Sequence, residues 1–298
     1  MDWDDAKYFL AIAREGQMLG AARRMKVSQA RLSRRLASLE DALGTRLFDR
    51  STRGCTLTDD GKTFLSVAEG MESAVLSGVS LLRESNDGVQ GTVRIGAPDG
   101  FGSAYLASRL GEIIDALPRL QLQLVPLPRN FSLSEREADV AIMIGRPTQG
   151  RLRSVKLTDY TLGLYASRDY VAVHDVPASS EDLRHHRLVG YVEDLVYTPE
   201  LNYAAEFFHD WKSSVEISTA IGQLAAVRSG AGIGVLHDFM AIQTDDLVRV
   251  LPKARVTRSY FAVWHENLKG SRRVRAVVGE MERLTARDRR QLCLATNL

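Results

Sequence analysis

Apolar positions in the first sixty residues recur at helical spacing, in short runs. Trp3, Ala6, Phe9, Leu10 and Ala13 form one stripe, which Gly16 ends. A second short helix is predicted over 19–25, where Ala21 and Ala22 are small enough for close packing. Ser28 stands as an N-cap before a third helix with Leu32, Leu36, Leu39 and Leu43 as its apolar positions, and Gly44 stops it. Residues 45–58 mix β-branched residues, arginines and Gly54, and read as a two-stranded hairpin. Thr58 then caps a long helix over 59–84, in which Phe64, Ala68, Met71, Val75, Val79 and Leu82 step by threes and fours. This near-heptad seam, weakened by Gly70 and Gly78, predicts a helix that pairs with a second copy of the chain.

From Gly91 the pattern changes. Short apolar or β-branched runs fall at 92–97, 121–126, 140–144, 162–166, 188–191, 232–236 and 260–264, with helical segments at 103–116, 218–229 and 271–287. Such alternation implies an α/β body with mostly parallel strands covered by helices on both faces.

The length of 298 residues suits two or three compact units, and 45% hydrophobic with 26% charged residues excludes a disordered or fibrous chain. No apolar run reaches the roughly 18 residues of a membrane span. The acidic start, Met1-Asp-Trp-Asp-Asp, is unlike a secretion signal, and two distant cysteines, Cys55 and Cys293, make no disulfide framework. A cytoplasmic protein with no membrane contact is expected. Taken whole, the net charge of +2 speaks against nucleic acid, but it is an average. Residues 23–53 hold nine basic and three acidic side chains, a charge of +6, so everything else sums to −4.

That basic segment has the form of a DNA reader. With the leucines of the third helix on one side, Ala30, Arg31, Ser33, Arg34, Ala37 and Ser38 fall on the other. Small residues there permit close approach, while arginine, serine and Gln29 supply donors for phosphates and base edges. A preceding helix and tight turn complete a helix-turn-helix, with Arg50 and Arg53 on the hairpin as a wing against backbone or minor groove.

The wording of this segment is specific. The run AARRMKVSQARLSRRLASLEDALGTRLFDR, residues 21–50, followed by TLTDDG at 56–61, resembles the LysR-type transcriptional regulators. The resemblance spans the chain but is concentrated in residues 5–65. It implies that Gln29, Ala30, Ser33 and Arg34 face the major groove, that Ser28 opens the reading helix, and that Arg50 and Arg53 sit in or beside the wing. At Ala30 the family usually has proline, preorganised for a first helical turn.

The resemblance further implies a winged helix-turn-helix over 1–58, a linker or dimerisation helix over 59–87, and an effector-binding domain over 91–298. That domain would be a two-lobed α/β body of the periplasmic-binding-protein type, lobe I at 91–160 and 266–298, lobe II at 163–261. Its partners would be double-stranded promoter DNA, a small-molecule effector, further copies of itself (dimer or tetramer) and RNA polymerase. The alternative is a ligand-independent repressor or activator whose sensor domain is vestigial.

Ligands of open α/β sheets bind beyond the carboxyl ends of strands, a rule that nominates effector residues without the family. It picks Asp99, Gly100 and Phe101 after the first strand, Arg129 and Asn130 after the second, Arg146 after 140–144, and Glu193 and Tyr197 after 188–191. Arg129 and Arg146 could clamp a carboxylate, suggesting an acidic metabolite. Gly230-Ala-Gly-Ile-Gly leaves a helix and enters a strand, the reverse of a dinucleotide loop, so a tight turn explains it. His185-His186 lacks metal-ligand spacing, and neither a G-x-S-x-G elbow nor an H-E-x-x-H motif occurs. No cofactor, metal or catalytic site is expected.

Overall fold

A computed structural model describes residues 2–51, 54–84, 89–127, 138–147 and 151–294. The chain divides into two compact units, 1–85 and 86–298.

In the first unit, α1 (Trp3–Glu15) starts at Asp2, whose carboxylate accepts the Asp4 N–H, and ends at Gly16 with φ +64°. Next come α2 (Met18–Met25) and α3 (Gln29–Leu43), the latter capped by Ser28 and closed by Gly44. Leu32, Leu36 and Leu39 are fully buried with Phe9, Ile12 and Leu47, whereas Leu43 is partly exposed, since α3 outruns the small core. The hairpin is β1 (Phe48–Ser51) and β2 (Gly54–Leu57). Cys55 N–H donates to the Gly16 carbonyl at 2.8 Å, fixing the hairpin to the corner between α1 and α2. A Cβ on Gly54 would come within 2.6 Å of that oxygen, so this position requires glycine. α4 (Asp59–Glu84) buries Phe64 and Ala68 against the same core. Arg14 on α1 grips Glu72 at 2.8 Å. The seam predicted for partner contact therefore begins as head core, while Val67 and Val75 are half exposed.

Among its described residues the second unit carries nine strands: β3 (Gly91–Ala97), β4 (Leu120–Pro126), β5 (Val140–Ile144), β6 (Leu152–Ser167), β7 (Leu188–Gly190), β8 (Val215–Glu216), β9 (Ile233–His237), β10 (Leu247–Val250) and β11 (Val256–His265). Their order is β4-β3-β5-β11-β6-β9-β7-β8, with β10 also on β6. β3 pairs in parallel with β4 and β5, and β7 with β8 and β9. The expected predominance of parallel pairing does not hold, because β6 and β11 pair antiparallel with each other and with their neighbours. At 16 and 10 residues they are about three and two times as long as the runs 162–166 and 260–264 suggested, since each crosses both lobes. Their polar stretches, such as Arg153-Ser-Val-Lys in β6, carry no β-like alternation in sequence.

Lobe I is covered by the helix Arg272–Arg287, lobe II by the helix Ala220–Arg228. The single helix expected over 103–116 is instead broken into short turns from Asp99 to Arg109 before Leu110–Ala116. There Gly102 lets the chain press onto β4, where an added Cβ would lie 2.9 Å from Pro126 Cβ. Gly230 and Gly232 have φ +81° and +157°, and a Cβ on Gly232 would meet the Arg187 carbonyl at 2.3 Å. The glycine-rich stretch is a tight turn.

Candidate DNA interface and effector site

On α3, the side away from the leucines shows Gln29, Ala30, Arg31 and Arg34 exposed, with Ser33 half-buried and the capping Ser28 exposed at its start. Among the described residues neither Arg31 nor Arg34 has an ion-pair partner. Other arginines of the basic segment are committed within the head: Arg35 bridges Asp2 and Asp5 at 2.8 Å each, and Arg24 meets Glu15 at 2.9 Å. Formal charge therefore overstates the cations available to DNA. Arg50 lies on β1 opposite Cys55, while Arg53 falls outside the described residues.

In the body, residues distant in sequence converge between the lobes. Asp99, after β3, is 7% exposed and its Oδ2 accepts the Ile221 N–H at 3.2 Å, at the start of the helix Ala220–Arg228. Burial pushes its carboxyl pKa up, and the backbone N–H groups of Ile221, Ala220 and Gly100 oppose that shift. Gly100 permits the approach, because its Cβ would stand 3.2 Å from both Ala220 Cβ and His237 Cε1. Phe101 is buried and begins a run of rings. Its centroid is 4.5 Å from that of Tyr260, which stacks at 4.0 Å on Tyr160, which in turn stacks at 5.2 Å on His237. The run joins lobe I, both crossover strands and lobe II. Burial lowers the His237 pKa to about 4, so this imidazole is neutral at pH 7.

Beside this run, lobe II encloses a cavity of about 740 Å3 lined by Tyr191, Glu193, Tyr197, Tyr203, Trp211 and Gln223, among others. That is within the roughly 300–1,000 Å3 range of small-molecule sites. Of the sequence-nominated residues, Glu193 and Tyr197 line it, whereas Asp99, Gly100 and Phe101 belong to the neighbouring lobe junction and are absent from its lining. Arg146 is exposed and is absent from its lining, while Arg129 and Asn130 lie outside the described residues. Sequence reasoning passed over Tyr160, Tyr191, Tyr203, Trp211, His237 and Tyr260. The strand-end rule could have found two of them: Tyr191 follows β7, and His237 ends β9. Tyr160 and Tyr260 sit mid-strand, where no local signal marks a site. Among the described residues no helix is long and apolar enough to cross a membrane, and no cluster of metal-ligating side chains occurs.

A helix-turn-helix head, a long helix and a two-lobed sheet domain with a ligand-sized cavity define a DNA-binding regulator that carries a sensor. Residues 3–62 match the bacterial regulatory helix-turn-helix of the lysR family, and residues 86–285 match the LysR substrate binding domain. The chain belongs to the LysR family of transcriptional regulators. It is 28% identical over 242 residues to the Mau operon transcriptional activator of Paracoccus denitrificans, covering 81% of each chain. It is 27% identical over 293 residues to the regulator PtxR of Pseudomonas aeruginosa, covering 94% of this chain and 92% of that one. Its fold matches that of ArgP from Mycobacterium tuberculosis with a TM-score of 0.70 at 18% identity, covering 96% and 98% of the two chains. It also matches CrgA from Neisseria meningitidis, with a TM-score of 0.58 at 22% identity over 95% and 98%.

Proposed function

We propose that the protein binds promoter DNA sequence-specifically as a dimer or tetramer, and that a small molecule held in the body changes how its DNA-binding heads are spaced. The head would span 1–58, the linker 59–87 and the sensor 91–298, with lobes at 91–160 plus 266–298 and at 163–261. The observation carrying the DNA reading is the face of α3: Gln29, Arg31 and Arg34 exposed beside small Ala30, on a helix fixed from behind by three buried leucines. One recognition helix reads too few base pairs for a genomic address, so paired heads on dyad-symmetric sites follow. Contact with RNA polymerase would convert altered spacing into transcription.

The sensor reading is supported by the meeting of lobe I and lobe II at Asp99 and the ring run, beside a cavity of effector size. A molecule favouring one lobe arrangement over the other shifts that equilibrium, and one binding both equally does nothing. The acidic effector expected from Arg129 and Arg146 rests on one residue outside the described ones and on one absent from the cavity lining. Asp99 already takes the Ile221 N–H that an effector carboxylate would use, and Arg146 stands away from the cavity. Footprinting upstream of the gene with and without metabolites of neighbouring pathways tests the proposal. A footprint that never responds favours the ligand-independent alternative.

A further inference from the structure

Resting on the reading of the body as a sensor, we infer that its cavity takes a small organic cation, an amine, quaternary ammonium or guanidinium carried on an apolar body. Four aromatic side chains line the cavity: Tyr191, Tyr197, Tyr203 and Trp211. Tyr191 and Tyr203 pack edge to face with centroids 6.1 Å apart, and the Trp211 indole N–H is already given to Ser213 at 3.2 Å. Aromatic rings present negative faces, and several together form the cage that recognises alkylated ammonium groups. Val196 and Leu201 add apolar surface for the rest of such a molecule.

Charge decides between a cation and an anion. At the solvent-exposed parts of the lining, Glu193 and Glu216 outnumber Lys212, and screening by water weakens all three. The buried charge is what counts, because it acts through a low dielectric. That charge is Asp99: the phenol pKa values of the lining residues Tyr191, Tyr197 and Tyr203 are raised first by burial, and the field of this nearby carboxylate adds to the shift. Burial raises its own carboxyl pKa, with the backbone N–H groups around it opposing the shift. Among the described residues no buried cation is paired with it: Arg258, which acts on Tyr160, is paired with Glu206. A ligand anion would meet Asp99 as a like charge, whereas a cation would complete its compensation.

The test uses the full-length protein and three probes with one ring and different heads: phenethylamine, 2-phenylethanol and phenylacetate, titrated at millimolar concentration by calorimetry and thermal shift. The amine should bind at least about tenfold more tightly than the other two. Tyr197→Leu should weaken the amine about tenfold with little change for the alcohol. Asp99→Asn should erase the preference while keeping an acceptor for Ile221, and Glu216→Gln should leave most of it. Equal binding, preference for phenylacetate, no binding by any probe, or a preference that survives Asp99→Asn would each overturn the inference. Operator binding is read separately. Amine binding that leaves the footprint unchanged would refute the sensor reading and keep the cation site.

Discussion

Head and body both neutralise arginines with carboxylates, as Asp238 does for Arg249 and Asp288 for Arg109 in the body, but they differ in what they leave unpaired. In the head, carboxylates neutralise arginines that are not needed outside: Asp2 and Asp5 hold Arg35, Glu15 holds Arg24, Glu72 holds Arg14. Arg31 and Arg34 are left facing solvent, ready for phosphates and base edges. In the body, a carboxylate is buried at Asp99 among rings and N–H donors, away from arginine. A net charge near zero therefore averages over regions that leave different charges unpaired. Sites are better read from unpaired charges than from sums.

The largest expected effect separates the stabilities of the two regions. Leu36 is fully buried in the head core, and Leu36→Ala should cost the head about 2–5 kcal/mol. Hydrogen exchange resolved by segment should show faster exchange in α1 to α3 and β1–β2, with β3 to β11 unchanged. Equal loss of protection in both regions would mean that they unfold as one unit.

The body should carry a pH signature that the head lacks. His237 is buried and neutral, with its pKa lowered to about 4, whereas in the unfolded chain it titrates near 6.5. Between those values the unfolded state binds the extra proton, so stability contributed by this site is intact above pH 6.5 and is lost as pH falls towards 4. The loss should amount to about 3 kcal/mol, and His237→Gln should flatten it. Urea midpoints measured across pH 4 to 7 would check this. A steep slope retained in the variant would place the acid sensitivity on other groups.

The same contrast explains how far the sequence could be read. In the head nearly every determinant is local: Ser28 and Gly44 bound α3, Gly16 ends α1, and the leucine stripe is complete within one helix. The start of the long helix at Asp59 was equally legible from its cap and apolar steps, and the helix runs to Glu84, the last described residue before position 89. The body's candidate site is assembled from β3, β6, β7, β9, β11 and a helix start at Ala220. Only its strand-end residues were visible in sequence. Tyr160 and Tyr260 meet because two long antiparallel strands cross both lobes, and long-range register leaves no mark on nearby residues. The commitment of Arg35 to Asp2 and Asp5, thirty residues away, was invisible for the same reason.

Base reading and backbone binding should separate within the head. Arg34→Ala should cost roughly 1–3 kcal/mol on the operator and much less on random DNA. Arg53→Ala should weaken both alike and lower the salt slope by about one. Gel-shift titrations at several salt concentrations would show this, and equal losses at Arg34 on both DNAs would remove it from base reading.

The smallest effect tests whether one residue serves fold and function together. The Ser28 hydroxyl accepts the Arg31 N–H at 3.2 Å, and the residue is exposed at the end of α3 that would enter the major groove. Ser28→Ala removes the cap and should cost about 1 kcal/mol of head stability. Ser28→Asp keeps a capping oxygen and suits the helix dipole, so stability should return to the Ser28 level. On DNA the order should differ, because the aspartate puts a negative charge against phosphates and should bind worst of the three. If Ser28→Asp binds operator as well as Ser28, the start of α3 lies away from the backbone and Ser28 acts only as a cap. If both variants lose affinity equally while only the alanine loses stability, the hydroxyl itself contacts DNA.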